Sequence, residues 1–316
     1  MSKVICVSVD ELKLFQMKII KRNRICNIIG FGLFLINSFL IFKITIPIKI
    51  GVFYIIFLSF LNAIVCVLLM VIVKGIVNGN NIEKFYKEFK KNFVLKSLKS
   101  FFKDIDYNSE EGFTEEYIRD VGMIDTGDSF NSNDYISGTY NGIKFEQSDI
   151  HIEEKHVEED DDDKEEVWET IFMGRLMVFD FNKNFKANLQ VSSLGFRANS
   201  FLWGKKIIDV EMEDIEFNKL FSVCAENEHD AFYILTPHFM EKLKKITRRL
   251  ECDVMFCFFN SKLFIAVDNR DDSFEYDILK PINEKDIEAS IESDIKLITS
   301  FVDELNLDND LFRREV

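Results

Sequence analysis

Two apolar runs, 25–42 and 50–73, restrict what this chain can fold into more than anything else in it. The first is broken only by Asn27, Asn37 and Ser38, and the second carries no charged residue. A helix needs about 20 apolar residues to cross the hydrocarbon core of a bilayer. A soluble helix of this length would show a polar stripe. Between the runs, Lys43, Pro47 and Lys49 mark a polar turn, so the two spans are expected to pack as an antiparallel hairpin.

The charges on either side are opposite in sign. Residues 1–103 hold 16 Lys and Arg against 4 Asp and Glu, and residues 104–316 hold 23 against 50. Lys18, Lys21, Arg22 and Arg24 precede the first span, and Lys74, Lys84, Lys87, Lys90 and Lys91 follow the second. The turn offers only two lysines. The preference for basic residues on the cytoplasmic side then places both termini in the cytoplasm, as expected for a multi-pass protein of a cell inner membrane. A cleaved signal peptide fits less well, because the leading segment is long and no small-residue cleavage site follows the first run. Neither span contains Asp, Glu, Lys or Arg, which argues against an ion or proton pathway. The expected organisation is a basic tail (1–24), a transmembrane hairpin (25–73), a basic juxtamembrane helix (74–106) and an acidic domain (107–316).

In the juxtamembrane segment Phe85, Phe89 and Phe93 recur every four residues. Val94, Leu98, Phe101 and Ile105 continue the stripe, and Lys84, Lys87, Lys91, Lys96, Lys99 and Lys103 fill much of the rest. A basic amphipathic helix next to a span can lay its aromatic face in the headgroup boundary while its lysines meet anionic lipid. The same face can instead pack on the soluble domain or on another copy. Nucleic acid is a poor partner, since the acidic domain would repel it.

The domain itself reads as α+β. Asp125–Asp134 is loop-like. Asn141-Gly142 is a hairpin turn between candidate strands, with Ile143, Phe145, Ile150 and Ile152 in two period-2 pieces around Gln147-Ser148-Asp149. Further strands are expected over 167–181, 186–191 and 220–225. Asn182–Asn184 reads as a turn, and Val210–Phe221 is ambiguous. A short helix is expected over 228–235. Thr236-Pro237 starts a longer one with Phe239, Leu243, Ile246 and Leu250 buried. Strands 253–259 and 263–267 flank another hairpin, and a final helix spans about 283–305 with Ile287, Ile291, Ile295, Ile298 and Val302 on one side. Successive hairpins suggest a mainly antiparallel sheet with helices on one face and a long C-terminal helix.

Few residues point to chemistry. The run from Glu158 to Glu166 places carboxylates side by side and is expected as an extended, solvated loop. Asp160, Asp161, Asp162 and Asp163 are its candidate contacts for a basic partner. His151 and His156 could join it around a divalent cation, although no glycine shapes the loop for one. Cys224, Cys252 and Cys257 lie in apolar segments and read as small hydrophobes in a reducing compartment. No phosphate loop, dinucleotide fingerprint, zinc motif or nucleophile elbow is present. No catalytic residue, cofactor or metal ligand is assigned.

The order of features does resemble a known group. Two N-terminal spans are followed by Ser137-Gly-x-Tyr-Asn-Gly142, Phe172-x-Gly174, Glu213-Asp-Ile-Glu-Phe217-x-x-x-Phe221-x-Val223-x-Ala225 and Ile234-Leu-Thr-Pro237-x-x-Met240-Glu-x-Leu243. From about residue 20 to 280 the chain resembles a bacterial family of uncharacterised two-span membrane proteins carrying a domain of unknown function. The resemblance implies a membrane location and no established activity. The expectation is a non-enzymatic, cytoplasm-facing interaction or assembly module with a protein partner or a second copy. A ligand or lipid sensor is the alternative, and a tethered hydrolase the next.

Overall fold

The computed structural model describes residues 9–45, 51–160, 163–180, 188–194 and 207–305. It divides into two compact units, one holding the residues up to Phe93 with Tyr276–Ile287, the other Val94–Glu275 with the residues from Glu288 on.

The first unit is built on two helices, α1 (Val9–Thr45) and α2 (Val52–Phe89). Both contain stretches long and apolar enough to cross a membrane. At 1.5 Å per residue each is over 50 Å long, well beyond the roughly 30 Å of hydrocarbon a span must cover. The basic tail from Val9 on is therefore helical and continuous with the first span, which its charges concealed. Antiparallel packing follows from three pairs in reversed order. Asn78 Nδ2 donates to Asn23 Oδ1 (2.8 Å), Asn62 Nδ2 donates to Ser38 Oγ (3.2 Å), and Gly30 faces Met70. A Cβ on Gly30 would stand 2.6 Å from Met70 Cγ, so the glycine sets how closely the helices approach. Gln16, buried on α1, donates through Nε2 to the carbonyls of Ile278 (2.8 Å) and Lys280 (2.6 Å). That contact brings a segment from far along the chain into this unit.

After Phe89 the helical path continues through a π-helical turn (Lys90–Val94) into α3 (Leu95–Phe101). It ends there, short of Ile105, which opens strand β1 (Ile105–Asn108). The second unit then runs α4 (Glu115–Val121), β2 (Ser129–Tyr140), β3 (Ile143–Asp160), β4 (Asp163–Asp180), β5 (Leu189–Ser193), β6 (Ile208–Asp209), α5 (Ile215–Asn218), β7 (Phe221–Ala225), α6 (Glu228–Ile234), α7 (Pro237–Leu250), β8 (Asp253–Phe259), β9 (Lys262–Asp268) and α8 (Glu284–Leu305). The described strands form one antiparallel sheet in the order β1-β2-β3-β4-β9-β8-β5-β7-β6. The fold is α+β.

Local chemistry explains much of this. Asn141 (φ 49°) and Gly142 (φ 82°) make the tight β2–β3 turn, and Asn260 (φ 49°) and Ser261 (φ 58°) the β8–β9 turn; two successive positive-φ residues match the twist of a hairpin. Thr236 caps α7 by accepting from the Phe239 amide at 3.3 Å. Period-2 alternation sorts β8 between two layers. Phe256 and Phe258 meet Phe301 of α8 and Phe239 of α7, while Met255 and Cys257 join the opposite core with Ile118 and Val121 of α4.

Three expectations change here. Helices cover both faces, because the short α4 closes the side away from α7 and α8. Residues 129–134 are strand, their polar side chains lying along β3. Gln147-Ser148-Asp149 does not interrupt β3. One irregularity falls on β2, where the register steps from Asn133↔Asp149 to Ile136↔Gln147, and another in the β3–β4 pairing past Ile152. Asn182–Asn184 and the start of the strand expected at 186 lie outside the described residues.

Candidate functional site

β3 and β4 are much longer than the sheet that holds them. β2 stops pairing with β3 at Ser129↔Glu153, and β9 stops pairing with β4 at Arg175↔Val267. Beyond those points the described residues of β3 and β4 pair with each other alone, from Glu154↔Glu169 out to Asp160↔Asp163. At 3.3–3.4 Å per residue this ribbon is about 20 Å long. The acidic run is thus held in paired strands and is not a loop. Its base is anchored in the core, where Ile150 and Ile152 of β3 and Phe172 and Leu176 of β4 are buried, and the pairing shifts by one residue past Ile152↔Phe172 to Glu153↔Thr170 as the ribbon begins. Of the candidate contacts, Asp160 and Asp163 end the two strands opposite each other, and Asp161 and Asp162 lie outside the described residues.

The ribbon carries an unusual surface. Val157 (55 % exposed), Trp168 (49 %) and Val167 (37 %) are large apolar groups left to solvent. Lys155 Nζ pairs with Glu166 (2.7 Å) and lies 5.9 Å from the centre of the Trp168 ring. On the opposite face His156 Nε2 stands 3.6 Å from Glu154 and 3.1 Å from Glu169. His151 lies back toward the sheet, 3.1 Å from Thr170 Oγ1. Each histidine is thus engaged on its own stretch of the ribbon.

A second cluster lies inside the domain and was not legible from spacing. The β2 irregularity turns Asp134 (φ 53°) into the protein, where it is wholly buried, accepts from the Tyr107 hydroxyl and accepts from Asn133 Nδ2 at 3.0 Å. Asp149 lies opposite Arg175 in the register and accepts from the Ser273 amide (2.6 Å) and hydroxyl. Arg175 donates to the Asp294 carbonyl (2.9 Å) and carboxylate and covers the ring of Phe274 at 5.5 Å. Burial holds the Asp149 carboxyl well above the usual carboxylate range, against the opposing pull of Arg175 and Ser273. Burial likewise raises the Tyr107 phenol, with the Asp134 charge adding to it.

One oxygen each of Asp134, Asp149 and Asp272 lies within 4.8 Å of the other two. That spacing is about twice a calcium–oxygen distance, so these are the residues that could hold a cation. Arg175 already supplies positive charge beside them and ties α8 to the sheet. The one sequence signal was an aspartate at an inward position of β3, cross-strand from the arginine that follows Gly174.

Residues 170–307 match a family model described as "Protein of unknown function (DUF3137)". This region is a DUF3137 domain. It includes Arg175, Asp272, Ser273 and Asp294, and it begins within β4, so Asp134, Asp149 and β3 precede it. The expected resemblance thus has its match further toward the C-terminus than residues 20–280. Neither the comparison with curated proteins nor that with solved structures finds a match.

Of the candidate lipid contacts, Phe85, Phe89 and Phe93 are buried in protein. The Phe85 ring lies 6.4 Å from Phe15 on α1, and Phe89 stacks on Tyr276 at 5.2 Å and lies 5.3 Å from Phe93. Their four-residue spacing serves packing within the first unit, which corrects the expected aromatic contact with headgroups. Lys84 and Lys87 are exposed and Lys91 is half-buried. Cys257 is wholly buried, and burial pushes its thiol up. Burial, with nearby aspartates adding to it, also raises Cys224 and Cys252 to about 11. None of the three is arranged as a nucleophile.

Proposed function

We propose that this is a membrane-anchored, non-enzymatic interaction module. The α1–α2 hairpin would hold it in a bacterial inner membrane with both termini in the cytoplasm, and the β3–β4 ribbon would be its contact element for a protein partner. The distribution of lysine and arginine around the spans supports the orientation. Lys84, Lys87 and Lys91 would meet anionic headgroups. The observation that carries the reading is the ribbon itself, a strand pair of about 20 Å that leaves the sheet and presents Trp168, Val157 and Val167 amid carboxylates. Such a surface costs stability and contributes nothing to the core.

The test is purification of the full-length protein from native membranes in mild detergent, beside a Glu154→Gln/Glu166→Gln/Glu169→Gln variant. A stoichiometric companion that leaves with the variant supports the reading. A companion indifferent to those changes removes the ribbon from it.

A ligand sensor is a second reading. It is favoured by a groove of about 630 Å³ beside β1–β4, lined by Asp104, Asp106, Lys144, Glu146, Asp180 and Lys262. Four carboxylates outnumber two lysines along it, so a zwitterionic or cationic small molecule would suit it. The sensor reading requires that such a ligand raise the melting temperature of the full-length protein.

A further inference from the structure

Among the described residues the ribbon leaves a backbone edge open, and the hydrogen bonds next to the sheet show which groups lie on it. The Lys155 amide donates to Asp128 Oδ2 at 2.8 Å, so it points away from β4. In an antiparallel pair this makes Lys155↔Trp168 a non-hydrogen-bonded pair, and the N–H and C=O of Trp168 point outward on the far side of β4. Period 2 puts the same groups of Glu166 outward too. Closer to the sheet the outward groups of β4 are taken. Arg270 Nη1 donates to the Thr170 carbonyl (2.8 Å), the Arg270 amide to the Met173 carbonyl (2.9 Å), and the Met173 amide donates to Asp268 Oδ1 (3.3 Å). From Trp168 outward no other described strand pairs with β4.

An open edge is a template for another strand, and charge decides which strand it takes. Two ribbons brought edge to edge would set carboxylate against carboxylate, which opposes pairing with a second copy. The side chains also alternate in kind across the two faces. Trp168 and Val157 share one face, while Val167, Glu154 and Glu169 share the other. We propose that the outer edge of β4, from Trp168 outward, takes a lysine- or arginine-rich extended segment of a partner protein as an added strand. Its backbone pairs with Trp168 and Glu166, alternate apolar side chains pack on Trp168, and its basic side chains face Glu154 and Glu169. This rests on reading the ribbon as the contact element.

The experiment titrates the full-length protein in detergent with a nonapeptide of alternating lysine and valine, following tryptophan fluorescence and calorimetry. The same peptide N-methylated on alternate residues, prepared in both phases, keeps the charge and removes one set of strand hydrogen bonds. The expected result is binding of the plain peptide and at least tenfold weaker binding of one methylated phase. Glu154→Gln/Glu169→Gln should weaken binding, while Glu284→Gln/Glu288→Gln, an equal charge change on α8, should not. Equal affinity for all three peptides, no binding of any, or equal loss with the two charge variants would overturn strand addition. If the native companion still depends on the ribbon in that case, the interaction reading stands and this inference alone fails.

Discussion

Glu154 on β3 lies directly opposite Glu169 on β4, with His156 reaching toward both. Like charges facing each other across an antiparallel pair are destabilising. A ribbon selected for its own stability would alternate the signs. The ribbon persists because the buried base of β3 and β4 pins it, and the acidic surface is carried outward on that base.

Glu169→Lys should therefore stabilise the ribbon, by about 0.2–1 kcal/mol, through a favourable pair with Glu154. Amide exchange on residues 154–157 and 166–169 should slow accordingly. The same change should weaken binding of the lysine–valine peptide. A variant that is both better ordered and a better binder would contradict the role given to these carboxylates.

Asp149 makes a pH prediction. Its folded-state carboxyl is raised above the ordinary value of 3.8, so the folded protein holds this proton more tightly than the unfolded chain. Its contribution is fully present below the unfolded value and is lost as pH rises through the folded one. Stability measured by denaturant titration should fall over that interval, and Asp149→Asn should flatten the fall. Arg175→Ala acts differently. It leaves Asp149 and Asp294 without their shared cation and should cost about 3–5 kcal/mol at neutral pH.

Wherever one residue's neighbours set the local pattern, the sequence was readable. Asn141-Gly142, the Thr236 cap and the apolar stripe of α8 each announce themselves through two or three nearby side chains. What stayed hidden depends on contacts between distant segments. The charge of the basic tail masked a helix that Leu12 and Ile19 bury. The phenylalanines after the second span looked like a lipid-facing stripe, because nothing nearby tells that Phe15 and Tyr276 cover them. A run of carboxylates reads as loop until the strands anchored at Ile150 and Phe172 carry it outward as a ribbon. The Asp134–Asp149–Asp272 cluster joins three segments whose meeting depends on one irregularity in β2.

Gly174 is fixed by a close backbone approach. A Cβ there would stand 2.0 Å from the Val267 carbonyl oxygen on β9, where only movement of the sheet could relieve it. Gly174→Ala should cost about 1–3 kcal/mol, read as a lower melting temperature. Because Arg175 follows directly, the same variant should disturb the Asp149–Arg175–Asp294 contacts and alter the pH dependence. An unchanged melting temperature would show that β9 yields without penalty.

The thiols give the last test, on a variant with Cys6, Cys26 and Cys66 replaced by serine. Cys224 and Cys252, raised to about 11, hold about a thousandth of their population as thiolate at pH 8. Cys224 Sγ lies 3.2 Å from Asp209 Oδ1, whose charge opposes ionisation further. Reaction with a disulfide reagent should therefore be slow at pH 8 and about 100-fold faster at pH 10, following the thiolate fraction. Cys257 should react only after unfolding, since it is wholly buried between β5 and β9. A fast-reacting thiol in the folded protein at pH 8 would point to an activated cysteine and reopen the case for covalent chemistry.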